Sequence, residues 1–390
     1  MTFLRPASIY IHIPFCARRC LYCDFLSTTF GPDVQKRYFQ KLQEEIRLRA
    51  EEYSGLYHIV SIFFGGGTPS LPSPELITDT LDLVRKSFEV DPDAEITIEC
   101  NPGTLNTGKL RAYKEAGINR LSIGLQSADC GMLKKLGRIH TYETFVEEFE
   151  DARSIGFDNT SVDLMYDLPG QDRAMFQSTL LALLRLKNPP QHISPYSLIV
   201  EEGTPFWDRY HEDAERKKLG GTPLFLPSEE EECGMLADLK EILTAHGYHR
   251  YEISNWAQEG FESLHNKGYW ERREYLGFGP GAASQAEENR YKDTESLDGY
   301  LNGDFEKKEK VTLSLDEQIE ETMFLGLREM KGINKEAFRN KFGRPLEEIY
   351  GNVLQNLTQY GLIEDSGLAV RLTERGIEIS NLVLAEFLLS

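Results

Sequence analysis

Ser8-Ile-Tyr-Ile-His-Ile-Pro-Phe-Cys16-Ala-Arg-Arg-Cys20-Leu-Tyr-Cys23 places a β-branched apolar run directly before three cysteines. The run reads as a strand over Ser8 to Ile13, so the thiols fall in the loop that follows. Five more short apolar runs succeed it: Ile59 to Phe64, Glu95 to Cys100, Arg120 to Leu125, Ser161 to Met165 and His192 to Leu198. Each is followed by turn residues and most by an amphipathic stretch. Repeated strand-then-helix units predict an α/β fold built on a parallel sheet. Ligand loops in such sheets lie beyond the C-terminal ends of the strands, which is where the cysteines sit.

Helix signals support this reading. Asp33 is placed to cap a helix carrying Tyr38, Leu42 and Ile46, and Ser73 with Pro74 forms an N-cap followed by proline at the first helical position. Gly117, Gly156 and Gly247 stand where helices should stop. Beyond about residue 200 the pattern changes to a Gly220-Gly-Thr-Pro223 connector and a helix from Pro227 to Ala245, whose acidic Glu229 to Glu232 run suits a solvated first turn. An extended region follows, containing Tyr251-Glu-Ile-Ser-Asn-Trp256 and the Gly-rich Leu276 to Ala283. From Leu313 the order helix, helix, helix, two short strands (around Ile363 and Ala369 to Leu372) and helix predicts a winged-helix-like module. Three segments result: 1–205, 206–310 and 311–390.

Composition bounds the function. With 43 basic and 63 acidic residues the net charge is −20, which argues against nucleic acid as a partner, because that binding depends on cations displacing counterions. No run approaches the roughly 18 apolar residues of a transmembrane helix, and the chain opens without a signal-peptide pattern, so a cytoplasmic protein with no membrane span is expected. Peripheral membrane association through a partner stays open. Six cysteines diluted over 390 residues are expected to be reduced thiols.

Three of those thiols, Cys16, Cys20 and Cys23, have C-x3-C-x2-C spacing. Thiolates ligate iron–sulfur clusters, and three can hold three corners of a four-iron cube while leaving one iron open to a small-molecule chelate. A zinc site with His12 as fourth ligand and a set of unliganded structural cysteines are the alternatives. At the other strand ends, Gly65, Gly66 and Gly67 let the backbone approach a ligand and Thr68 adds a hydroxyl. Glu99 ends the third run, where a carboxylate can accept hydrogen bonds from ribose hydroxyls.

The cysteine spacing, with Tyr22 before the third cysteine, resembles the radical-SAM superfamily. Ile9 to Cys16, Gly65-Gly-Gly-Thr-Pro69, Glu99-Cys-Asn-Pro102, Gly124-Leu-Gln-Ser127 and Asp163-Leu-Met-Tyr-Asp-Leu-Pro-Gly170 resemble its oxygen-independent coproporphyrinogen III oxidase branch over essentially the whole chain. The resemblance implies a partial (β/α)6 barrel, a [4Fe–4S] cluster on the three cysteines and S-adenosylmethionine (SAM) as cofactor. It implies SAM contacts at Tyr10, Tyr22, Gly66, Gly67, Thr68, Glu99, Gln126, Arg138 and Asp163; in the oxidases the positions of Gln126, Arg138 and Asp163 contact a second SAM. It also implies an electron donor such as flavodoxin or ferredoxin, and a 5′-deoxyadenosyl radical when SAM is cleaved.

One departure separates this chain from the decarboxylating oxidases. They usually carry a further cysteine two residues after the third ligand, where this chain has Phe25. Phenylalanine there, and a His-Asn-x-x-Tyr-Trp signature present as His265-Asn-Lys-Gly-Tyr-Trp270, resemble the sister family of HemW haem chaperones. That likeness implies haem as a further ligand, haem-accepting proteins such as respiratory haem enzymes as partners, and His265 as the first candidate axial ligand, with Tyr269 and Trp270 offering flat apolar surface. His140 and His192 are possible substitutes. The alternative is a true oxidase that decarboxylates porphyrinogen propionates.

Overall fold

The computed structural model describes residues 4–389. Six strands form its centre: β1 (Arg5–Ile13), β2 (Tyr57–Gly66), β3 (Glu89–Cys100), β4 (Arg120–Gln126), β5 (Asn159–Tyr166) and β6 (His192–Ser197). They pair in sequence order and all in parallel. Each of the six expected runs is therefore a strand, and the connecting helices cover the outer face of the arc.

Alternation along the strands explains the layering. One face carries Ile9, Ile11, Ile62, Phe64, Ile96, Ile98, Leu121, Ile123, Val162 and Leu164, which join the main apolar core with Leu42, Ile46, Ile77, Leu81, Phe145 and Phe176 from the helices. The opposite face is polar. Register brings Ser8 beside Ser61, Ser61 beside Glu95, Glu99 beside Ser122, Gly124 beside Asp163 and Ser161 beside His192. An inner face of this kind suits a ligand chamber better than a close-packed barrel core.

The sheet runs on past the six strands. Glu274–Phe278 pairs in parallel with β1, and Ala283–Ala286, Asn289–Lys292 and Lys308–Thr312 continue antiparallel from it. At the other edge Trp256–Ala257 and His249–Arg250 add antiparallel beside β6, giving twelve strands in one sheet. Residues 206–310 thus contribute to both edges. A second, smaller core runs from Ile319 to Phe387. There Leu315–Gly326, Lys335–Phe342 and Leu346–Gln359 precede the Ile363–Asp365 and Ala369–Leu372 hairpin, which pairs with Ile333–Asn334. This is the expected winged-helix-like order.

Local signals met mixed outcomes. The helix expected to be capped by Asp33 spans Pro32–Tyr53 with Gly31 at the N-cap, because Pro32 takes the first helical position and leaves Asp33 in the first turn. Ser73 is the N-cap of Pro74–Ser87, although its hydroxyl makes no capping bond. Glu229–Ala245 starts at Ser228 with a full capping box through Glu231. Pro205–Lys218, just before the Gly220–Pro223 connector, is an additional helix capped by Thr204. His265 to Trp270, expected in an extended region, lies on the helix Leu264–Trp270.

Candidate functional site

A cavity of about 510 Å³ opens at the C-terminal ends of the six strands. That size is within the range of small-molecule sites. Cys16, Cys20 and Cys23 line one wall; Gly66, Gly67, Thr68, Glu99, Gln126, Arg138, Asp163 and Tyr22 line the remainder with Asn101, Ser122 and Tyr196. Residues spread over 180 positions of sequence therefore converge, most of them on the parallel strands or in the turns just after them, and Arg138 from beyond the short helix Cys130–Lys135.

The thiols are held by donors. Thr68 Oγ1 donates to Cys16 Sγ at 3.6 Å and Arg138 Nη1 to Cys20 Sγ at 3.6 Å. Hydrogen bonds to sulfur of this kind tune cluster potentials. Burial pushes the Cys16 and Cys23 thiols up, so binding of a metal centre must release their protons. The zinc alternative does not fit. His12 spends both ring nitrogens, on the Tyr10 hydroxyl at 3.0 Å and the Leu26 carbonyl at 2.9 Å. Three thiols on one short loop, with side-chain donors aimed at Cys16 and Cys20 and an open cavity beside them, fit a cube bound at three corners.

Behind the cysteines the polar groups form one network. Arg138 Nη2 donates to Asn101 Oδ1 at 2.8 Å and to the Gly124 carbonyl, and Asn101 Nδ2 donates to Thr68 Oγ1 at 2.8 Å. The Gly66 N–H donates to Glu99 Oε2 at 3.0 Å. Gly66 adopts φ +112°, and a Cβ there would stand 2.7 Å from the His12 ring, so only glycine lets this turn close. Burial, then the Asp163 carboxylate, raise Glu99 to about 8, and burial raises Asp163 to about 6 although Ser122 Oγ donates to it at 3.2 Å. Gln126 is held in the left-handed region, φ 70°, and accepts from the Tyr196 hydroxyl at 2.7 Å. Strain of this kind collects at functional sites.

Asn101, Ser122 and Tyr196 were not singled out from the sequence. Asn101 stood within the quoted Glu99 to Pro102 turn, and position alone could have nominated it. Tyr10, expected beside SAM, lies along an adjoining cavity of about 510 Å³ with His12, Leu26 and Gly281.

His265 is placed elsewhere. Its ring stacks on Phe63 at 5.0 Å, and its nitrogens lie 3.0 Å from Ser61 Oγ and 3.1 Å from the Tyr269 hydroxyl. At 2% exposure it sits under the strands' inner face, and the Glu95 carboxylate accepts the N–H groups of Leu264 and His265, both at 3.0 Å. The signature helix therefore stoppers the floor of the chamber, at the end away from the cysteines. His192 and His140 are likewise engaged: His192 with Ser161 Oγ at 2.8 Å and the Tyr251 hydroxyl at 2.9 Å, His140 with the Leu125 carbonyl at 3.3 Å.

Comparison with known proteins agrees with this geometry. The Radical SAM superfamily model matches residues 10–183 and the HemN C-terminal domain model residues 313–379. The heme chaperone HemW of Bacillus subtilis (strain 168) is 38% identical over 98% of this chain and 99% of its own length. The chain belongs to the HemW family of radical SAM proteins. A mitochondrial radical S-adenosyl methionine domain-containing protein 1 from Danio rerio is 32% identical over 98% of this chain and 87% of its own length. Coproporphyrinogen III oxidase (HemN) from Escherichia coli shares the fold, with TM-score 0.83 at 23% identity over 99% of this chain and 90% of that one. As a radical SAM protein the chain takes a [4Fe–4S] cluster and SAM as cofactors. No helix among the described residues is long and apolar enough to cross a membrane.

Proposed function

We propose that this protein binds haem and acts as a haem chaperone, passing haem to acceptor proteins such as respiratory haem enzymes. The observation that carries the reading is 38% and 36% identity, over nearly the whole chain, to proteins named heme chaperone HemW, joined to Phe25 where the oxidases carry cysteine. Cys16, Cys20 and Cys23 would hold the cluster. When bound, cluster and SAM together supply one-electron reduction of a sulfonium.

The chain's own groups have separable tasks. Gly66, Gly67 and Thr68 border the cavity closely enough to take the amino acid end of SAM, and Glu99 would accept from its ribose hydroxyls. Arg138 braces the Cys20 loop against β4, while Tyr22, Gln126 and Asp163 shape the opposite wall. Tyr10 would act from behind Gly65, whose absent side chain leaves room for its ring. A flavodoxin- or ferredoxin-like protein would provide the electron. Ligation of haem by His265 would require the Leu264–Trp270 helix to leave Glu95 and Ser61.

The test titrates haem into the anaerobically reconstituted protein and, in parallel, incubates the reduced protein with SAM and coproporphyrinogen III, quantifying protoporphyrinogen and 5′-deoxyadenosine. Haem binding without protoporphyrinogen is the expected result. Turnover to protoporphyrinogen would make the protein an oxidase despite Phe25.

A further inference from the structure

Three arginines line the cavity, and they are used differently. Arg138 is committed to Cys20, Asn101 and Gly124. Arg18 and Arg19, between the first two cysteines, are exposed and donate no hydrogen bond; neither has a carboxylate within 4.0 Å among the described residues. Two large apolar side chains share the same mouth: Phe25, 66% exposed, from the loop after β1, and Ile199, 67% exposed, just beyond β6. They approach from the first and last strands of the six-stranded arc. Apolar surface left open at a cavity mouth marks a contact for an apolar ligand.

Asp24 and Glu201 are the other charged groups at that mouth, and both are exposed. They disfavour a ligand that is anionic all round and leave the Arg18–Arg19 side for anionic groups. The matching chemistry is a broad, flat, apolar body bearing carboxylates along one edge. Guanidinium groups pair with carboxylates in a two-pronged geometry, and an aromatic ring packs against a flat macrocycle. We infer that Arg18 and Arg19 hold the propionates of haem at the cavity mouth while Phe25 and Ile199 pack against the macrocycle. This rests on the haem-binding reading above and adds the place and the residues. It puts haem at the cluster end of the chamber, not against His265 in the floor.

Haem and haem dimethyl ester, whose propionates are masked, are titrated into the cluster-loaded protein and into its R18Q/R19Q variant. Exposed ion pairs are individually weak, so the wild type should prefer haem over the ester by about tenfold. R18Q/R19Q should lose that preference with iron content and SAM binding unchanged, and Phe25→Ala should weaken both ligands together. Equal binding of haem and ester by the wild type overturns the inference, and that arm needs no variant. A variant that retains the preference but is reduced more slowly by an acidic flavoprotein also overturns it, assigning the arginines to the electron donor. Failure of the wild type to bind either ligand overturns the haem-binding reading itself.

Discussion

Arg138 Nη1 lies 3.6 Å from Cys20 Sγ, and the same guanidinium ties Asn101 and the Gly124 carbonyl to the cluster loop. One cation thus serves both as brace for the cavity wall and as counter-charge beside the Cys20 sulfur. In R138Q the reduced, more negative cluster loses that counter-charge, so its reduction potential should fall, with a smaller fall in R138K. Unpaired acceptors at Asn101 and Gly124 should also cost about 1–3 kcal/mol of stability. A redox titration followed by electron paramagnetic resonance, with thermal melts beside it, checks both. An unmoved potential in R138Q would restrict the arginine to packing.

Glu99 gives the site a pH signature. Its carboxyl is raised to about 8, above the ordinary 4.5, so the folded state holds the proton more tightly than the unfolded chain does. The associated stability is complete below pH 4.5 and is lost as pH rises through 8. Gln at this position keeps an acceptor for the Gly66 N–H and removes the titration. E99Q should therefore be more stable than wild type by about 1–3 kcal/mol at pH 8.5, the difference vanishing near pH 5. Melts at the two pH values measure this. SAM affinity of the same variant should fall, because a neutral amide is a weaker acceptor for ribose hydroxyls.

His265 has the opposite sign. Burial first, then the Arg273 and Arg120 guanidiniums, lower it to about 3 from 6.5. Stability from its neutral ring is present above pH 6.5 and lost as pH falls toward 3. His265→Asn should cost about 2 kcal/mol at pH 7, where the stack on Phe63 and one ring hydrogen bond disappear. The gap should narrow at pH 5, since the wild type alone pays for an unprotonated imidazole. Denaturant melts at pH 7 and pH 5 decide it, and a gap that widens on acidification would contradict the buried, neutral assignment.

The outcomes of reading the sequence divide along physical lines. Six strands were legible because alternation of apolar and β-branched residues is local, and Cys16 to Cys23 was legible because its spacing is local too. The Pro205–Lys218 helix was missed since its face is highly charged and only Phe206 and Asp213 are buried. The Leu264–Trp270 helix is seven residues long and contains Asn266 and Gly268, poor helix formers, so nothing nearby announces it. What holds it is Glu95, far away in sequence. The pairing of Glu274–Phe278 with β1 is equally non-local: Gly277 faces Tyr10 in the register, in a Gly-rich stretch read only as extended.

That distant carboxylate holds both the floor helix and a buried cation. Glu95 accepts from the backbone N–H groups of Leu264 and His265 and from Ser263 Oγ at 3.3 Å, and Arg120 Nε stands 3.9 Å away at 2% side-chain exposure. Removing the carboxylate therefore uncaps the floor helix and takes from the buried Arg120 guanidinium its nearest carboxylate. Loss of one partner of such a pair costs about 3–5 kcal/mol, more than deletion of the pair as a whole. E95A should be severely destabilised, while E95Q, which keeps acceptors for the helix N–H groups, should lose less. The double variant E95A/R120M should recover part of the E95A loss, because the orphan charge is gone. Chemical denaturation of the three variants measures the coupling, and strict additivity of the two substitutions would show that Arg120 does not depend on Glu95.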